Sequence, residues 1–92
     1  MSKIFKYPLK VTDIQSVSLP VAHQILSVQV QRGEVCLWAR VWEDTPLMPK
    51  LIYIYGTGHP VEDRIPMDFM GTIQMRDGAL VFHVFCEGNK DA

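Results

Sequence analysis

Leu26-Ser27-Val28-Gln29-Val30-Gln31-Arg32-Gly33-Glu34-Val35-Cys36-Leu37-Trp38-Ala39-Arg40-Val41-Trp42 is the stretch on which the fold turns. Leu26, Val28 and Val30 alternate with Ser27, Gln29 and Gln31, the period-two pattern of a strand with one buried face. Arg32-Gly33 follows as a turn, with a glycine able to take positive φ. Beyond it, Val35, Leu37, Ala39 and Val41 form an aliphatic face for a core. Cys36, Trp38, Arg40 and Trp42 form the opposite face, because successive side chains of a strand point to opposite sides.

The same period runs outward in both directions. Phe5, Tyr7, Leu9 and Val11 share a face, and Pro8, which cannot donate to a ladder, places that segment at a sheet edge. Val17 and Leu19 belong to a shorter strand ending at Pro20. Glu43 to Lys50 contains two prolines and is expected as an exposed loop. Leu51-Ile52-Tyr53-Ile54-Tyr55 is an apolar strand closed by Gly56-Thr57-Gly58-His59-Pro60. Val61 to Met67 has room for one helical turn, started at Pro60 and stopped by Pro66. Phe69–Met75 and Ala79–Cys86 are strands joined through Arg76-Asp77-Gly78, a strong hairpin signal. Glu87 to Ala92 is polar and expected to fray. No segment has a sustained helical period. The expectation is one all-β domain over residues 1–92, a small antiparallel β-sandwich or open barrel of six to seven strands.

At 92 residues with 48% hydrophobic side chains, the chain has more apolar material than a small core readily takes up, so a homo-oligomer is expected. Scattered charges and a net charge of −1 argue against a nucleic-acid polymer or a membrane surface as partner. No apolar run reaches the length of a membrane helix, and Met1-Ser2-Lys3-Ile4-Phe5-Lys6 lacks the apolar region of a signal peptide. A cytoplasmic protein is expected. Cys36 and Cys86 each sit within an apolar strand pattern and read as reduced core thiols.

The loop Gly56-Thr57-Gly58-His59-Pro60 is the leading candidate site. Successive N–H groups of a glycine turn can form a nest for an anion, with the Thr57 hydroxyl and His59 imidazole beside it. The simpler reading is a turn that only ends a strand. A phosphate-loop lysine and serine are missing, so no nucleotide-hydrolysing loop is implied. Trp38, Arg40 and Trp42 form a second candidate, either a surface stacking on a base or, through Trp38 and Trp42, an interface. His83 is read either as a satisfied core histidine or as the partner of His59 in a pocket. His83 and Cys86 fall on opposite faces and match no metal motif, so neither a metal nor a cofactor is implied. Glu62 and Asp63 follow His59, yet no nucleophile with an oriented base can be assigned, and an enzyme is not expected.

Ile4-Phe5-Lys6-Tyr7-Pro8-Leu9, Leu26-Ser27-Val28-Gln29, Leu37-Trp38-Ala39, Gly56-Thr57-Gly58-His59-Pro60, Gly71-Thr72 and Val81-Phe82-His83-Val84-Phe85 together carry a resemblance. Over nearly the whole chain the sequence resembles a family of small proteins encoded by tailed phages and prophages. The resemblance implies no particular chemistry. It implies a setting, an accessory protein in the cytoplasm of a bacterial host cell, where such products antagonise host defence, modify host processes or assist assembly. Pro20-Val21-Ala22-His23-Gln24 departs from the family's pattern, in which a glycine-alanine turn precedes the third strand.

Three functions are thereby framed. The first is a non-enzymatic binding protein, a host-defence antagonist capturing a small anionic, nucleotide-like ligand. In it Gly56, Thr57, Gly58 and His59 receive the anion while Trp38 and Arg40 hold the base, with His83 nearby. The second is a protein–protein inhibitor or assembly module acting on a host protein through Trp38 and Trp42. The third is a small hydrolase using His59 with Glu62 or Asp63.

Overall fold

The computed structural model describes residues 1–88 and contains seven strands, β1 (Lys3–Leu9), β2 (Ile14–Pro20), β3 (His23–Gln31), β4 (Glu34–Val41), β5 (Leu47–Gly56), β6 (Met67–Met75) and β7 (Leu80–Glu87). Turn chemistry sets two of the pairings. Arg32 and Gly33 take φ of 50° and 81°, the geometry of a two-residue hairpin loop, and Gln31 stands opposite Glu34. Arg76, Asp77 and Gly78 all take positive φ. There the Gly78 N–H donates to the Met75 carbonyl at 3.2 Å, and Met75 stands opposite Leu80.

The strands form two antiparallel sheets, a three-stranded sheet of order β1-β4-β3 and a four-stranded sheet of order β2-β5-β7-β6. The sheets pack face to face as a small open β-sandwich and do not close into a barrel. Val35 and Leu37 of β4, with Leu9 and Val28, meet Ile52, Ile54, Ile73, Val84 and Cys86 of the other sheet. The Cα envelope is only 17 Å in its shortest direction against 40 and 33 Å in the others, as one layer of core between two sheets requires. Each strand therefore has an inner face in this core and an outer face toward solvent.

Pro8 sits in the edge strand β1, as its missing N–H demands. Both cysteines are free and buried, one in each sheet. Other expectations are corrected. β1 ends at Leu9, and Val11 lies exposed in the following turn. Residues 47–50 are not a loop but the start of β5, paired with β2. Pro49 is tolerated because β7 pairs with β5 only from Ile52 onward, which leaves this half of β5 without a neighbour on that side. Leu26 does not share the inner face with Val28. A register shift between Ile25 and Ser27 turns Ile25 toward the core and leaves Leu26 45% exposed. Residues 61–66 form no helical turn, and the Glu62 carboxylate instead accepts the Arg64 N–H at 2.8 Å. Glu87 closes β7 and receives the Leu51 N–H at 3.1 Å, and the Gly88 N–H donates to the Pro66 carbonyl at 2.7 Å. Those two residues are therefore anchored, and the rest of the expected tail lies outside the described residues.

Two outcomes test this packing. Leu37 is fully buried in the shared layer, so Leu37→Ala is expected to lower stability by about 2–5 kcal/mol in urea unfolding. Burial pushes the Cys86 thiol above its ordinary value of 9.0, only partly opposed by Lys50. The folded state thus favours the neutral thiol. Its contribution to stability is complete below the unfolded thiol's pKa and falls as pH rises through that value toward the folded one. Cys86→Ser is expected to flatten this alkaline loss in unfolding curves recorded across pH.

Candidate functional site

β7 carries Val84 and Cys86 into the core, so alternation turns Val81, His83 and Phe85 to the outer face of the four-stranded sheet. There His83 is held at both ring nitrogens. The Thr57 hydroxyl lies 2.7 Å from Nε2 and the Thr72 hydroxyl 3.0 Å from Nδ1. A neutral imidazole has one N–H and one lone pair, so one threonine accepts and the other donates. When the ring is doubly protonated, both hydroxyls accept from it and both turn their own hydrogens outward. The Thr57 N–H also donates to the Val81 carbonyl at 3.3 Å, which ties the loop to β7 beside the histidine.

His83 pairs across the sheet with Thr72 on one side and Tyr55 on the other, making one cross-strand row. Two residues along, Phe85 pairs with Phe69 and Tyr53 to make a second row. At the ordinary strand rise the rows are about 7 Å apart. The second row is aromatic. Phe69 and Phe85 have ring centroids 5.3 Å apart, and Phe85 meets the Tyr55 ring edge-on at 5.9 Å. Phe69 remains 59% exposed and is the open end of this row.

Phe69 and Thr72 are three positions apart and in a regular strand would face opposite ways. The register shift between Phe69 and Gly71 inserts one extra residue and puts both on the outer face. Sequence reading assigned no role to Thr72, Tyr55, Phe69 or Phe85. Gly71 inside an otherwise alternating strand was the available signal, since an interior glycine often marks a bulge.

Gly56, Thr57, Gly58 and His59 form a turn rather than an open nest. The Thr57 N–H is held by Val81, and the His59 N–H donates to the Gly56 carbonyl at 3.0 Å. Gly58 takes φ of 89°, which requires glycine. His59 does not meet His83. Its ring lies over Gly56, where an added Cβ would come within 2.9 Å of the imidazole. His59 borders an open hollow with Asp13, Tyr53, Tyr55 and Glu62, whose two carboxylates disfavour an anion.

Trp38 and Arg40 lie on the outer face of the other sheet, because Leu37, Ala39 and Val41 of the same strand are buried between the sheets. The composite site expected from sequence, with the loop holding an anion and Trp38 with Arg40 holding a base, is therefore divided between opposite sides of the sandwich. Arg40 stacks on Trp42, its Cζ 4.7 Å from the ring centroid. Trp38 lines a hollow with Ile4, Leu26, Ser27 and Gln29, whereas Trp42 lines another with Ala22, His23 and Thr45.

A Cβ at Gly56 would displace the His59 ring rather than backbone, so Gly56→Ala is expected to cost about 1 kcal/mol or less. It should also move the His59 ring signals in NMR spectra. In the His59→Ala background the same change should be nearly neutral, a coupling that a double-mutant cycle reads directly.

No curated protein and no solved structure matches the chain. A family model matches residues 1–92, described as a domain of unknown function (DUF7352). With the match running the full length of the sandwich, the chain belongs to the DUF7352 family.

Proposed function

We propose that this protein is a non-enzymatic binding protein that captures a small anionic, nucleotide-like ligand on the outer face of its four-stranded sheet. The observation that carries the reading is the hydrogen-bonded cluster of Thr57, His83 and Thr72 on that face, beside the aromatic row of Phe69 and Phe85. The His83 ring holds both threonines, and a hydroxyl whose oxygen accepts from the ring turns its own hydrogen outward, a donor that suits a phosphate. Aromatic faces at about 7 Å suit a base, because every base presents a π-face for stacking. The anion-receiving groups are thus hydroxyl and imidazole side chains rather than amides of the glycine turn. In the phage setting that the sequence resemblance implies, capture of such a ligand would act as antagonism of host defence in the host cytoplasm.

A second reading draws on one contact. A threonine hydroxyl 2.7 Å from an imidazole nitrogen whose other nitrogen is held in place has the form of an activated nucleophile. On this reading Thr57 is the nucleophile, His83 the base and Thr72 the group that orients it. His59 plays no part, and Glu62 is engaged by Arg64 through its N–H at 2.8 Å and its guanidinium at 3.8 Å.

The two readings separate in titration of the protein with mono- and dinucleotides, followed by NMR shift mapping and calorimetry. Binding predicts shifts at Thr57, Thr72, His83 and Phe69 with no turnover. Phe69→Ala should weaken affinity by about 1–3 kcal/mol, the worth of one stacked base. Thr72→Val, which removes a hydroxyl and little volume, should weaken it while leaving the unfolding midpoint nearly unchanged. Turnover lost in both Thr57→Val and His83→Ala would favour the hydrolase. Shifts confined to Trp38 and its neighbours would overturn both.

A further inference from the structure

Four strands lie at sheet edges, β1 and β3 in one sheet and β2 and β6 in the other. An edge presents unpaired backbone groups to any strand that fits, and folded proteins usually blunt it. β1 is blunted by Lys3, Lys6 and Pro8. β3 and β6 are each interrupted by a register shift, after Ile25 and after Phe69. β2 is blunted only at its last residue, Pro20. Ile14-Gln15-Ser16-Val17-Ser18-Leu19 contains no charge, glycine or proline, and its pairing with β5 runs without a shift to Pro20.

The hydrogen bonds show which groups of β2 stay open. The Ile54 N–H donates to the Asp13 carbonyl at 3.2 Å, and the Val21 N–H donates to the Pro46 carbonyl at 2.7 Å. Ladder bonds in an antiparallel pair recur at alternate residues. Odd-numbered residues here therefore face β5, and the backbone groups of Ile14, Ser16, Ser18 and Pro20 face away. The Ile14 carbonyl accepts the Thr12 hydroxyl at 3.2 Å, and the Pro20 carbonyl meets His23 Nδ1 at 2.7 Å. The N–H and C=O of Ser16 and of Ser18 have no partner among the described residues.

We propose that β2 is the seam of a homodimer, pairing antiparallel with β2 of a second copy about a two-fold axis at Val17. Ser16 then stands opposite Ser18 of the second copy, and the symmetric pair repeats it. Each pair exchanges two bonds, so all open groups of the serines are satisfied. Ile14 stands opposite Pro20. Proline has no N–H to offer the Ile14 carbonyl, and that carbonyl is the one already taken by Thr12. The Ile14 N–H reaches the second lone pair of the Pro20 carbonyl. On the outer face the facing side chains are serine on serine and Ile14 on proline, and on the inner face Val17 meets Val17 and Gln15 meets Leu19, so self-pairing brings no like charges together and covers Ile14, which is 53% exposed in the single chain. The two four-stranded sheets become one continuous sheet, with both His83 rows on the same face. This seam does not depend on what the His83 face binds.

Sedimentation velocity over a concentration series, with amide exchange by NMR, tests the seam on the full chain. The wild type is expected to dimerise with concentration and to protect the Ser16 and Ser18 amides as it does so. Ser16→Pro removes an N–H that β5 does not use and should give a folded monomer. Should that variant fail to fold, Ser16→Lys/Ser18→Lys decides, since exposed lysines leave the β2–β5 ladder intact but crowd four positive charges at the axis. A monomeric wild type at every soluble concentration would overturn the proposal. So would a dimer that persists in the lysine variant, because its seam must then lie elsewhere, as on the Trp38 face.

Discussion

The contact between the aliphatic stripe of β4 and the inner faces of β5 and β7 is the interaction on which the rest of this protein depends. Val35 and Leu37 meet Ile52, Ile54 and Val84 with essentially no exposed surface, and among the described residues no buried charged or polar side chain interrupts the layer. Burial of that apolar area is the main favourable term available to a chain of this size. One layer is all it builds. Every strand is therefore divided into a core face and a solvent face, and residues left over from the core must lie outside.

The two outer faces differ in kind. On the three-stranded sheet Arg40 stacks on Trp42, and Trp38 lies apart among Ile4 and Leu26. On the four-stranded sheet a polar row built on His83 runs beside an aromatic row built on Phe85. The bulge in β6 creates the second arrangement. By inserting one residue it adds Thr72 to the first row and Phe69 to the second, so an irregularity of the backbone assembles the chemically richest part of the surface.

Much of the fold was legible because period-two alternation and hairpin turns are local signals. Val35 to Val41 announced the core face, Arg32-Gly33 and Asp77-Gly78 announced two turns, and Pro8 announced an edge. The errors arose where neighbours decide. Pro49 belongs to a strand because β7 stops short of it, and Leu26 faces outward because of a bulge that its own alternation conceals. Of the candidate residues, Thr57 and His83 meet directly, whereas His59 packs on Gly56 and Trp38 and Arg40 belong to the opposite surface. Thr57 and His83 were singled out separately, but no spacing along the chain indicates that residues 26 positions apart share a hydrogen bond.

By itself the sequence determined that this chain folds into strands, where two of its turns fall, and which residues of β4 enter a core. Those properties follow from side-chain alternation and backbone φ preferences, which act over a few residues. Only the tertiary structure decided which strands lie side by side, which edge stays open and which side chains share an outer face. Those outcomes rest on pairing between distant segments, and a one-residue change of register there moves every following side chain to the other face of the sheet.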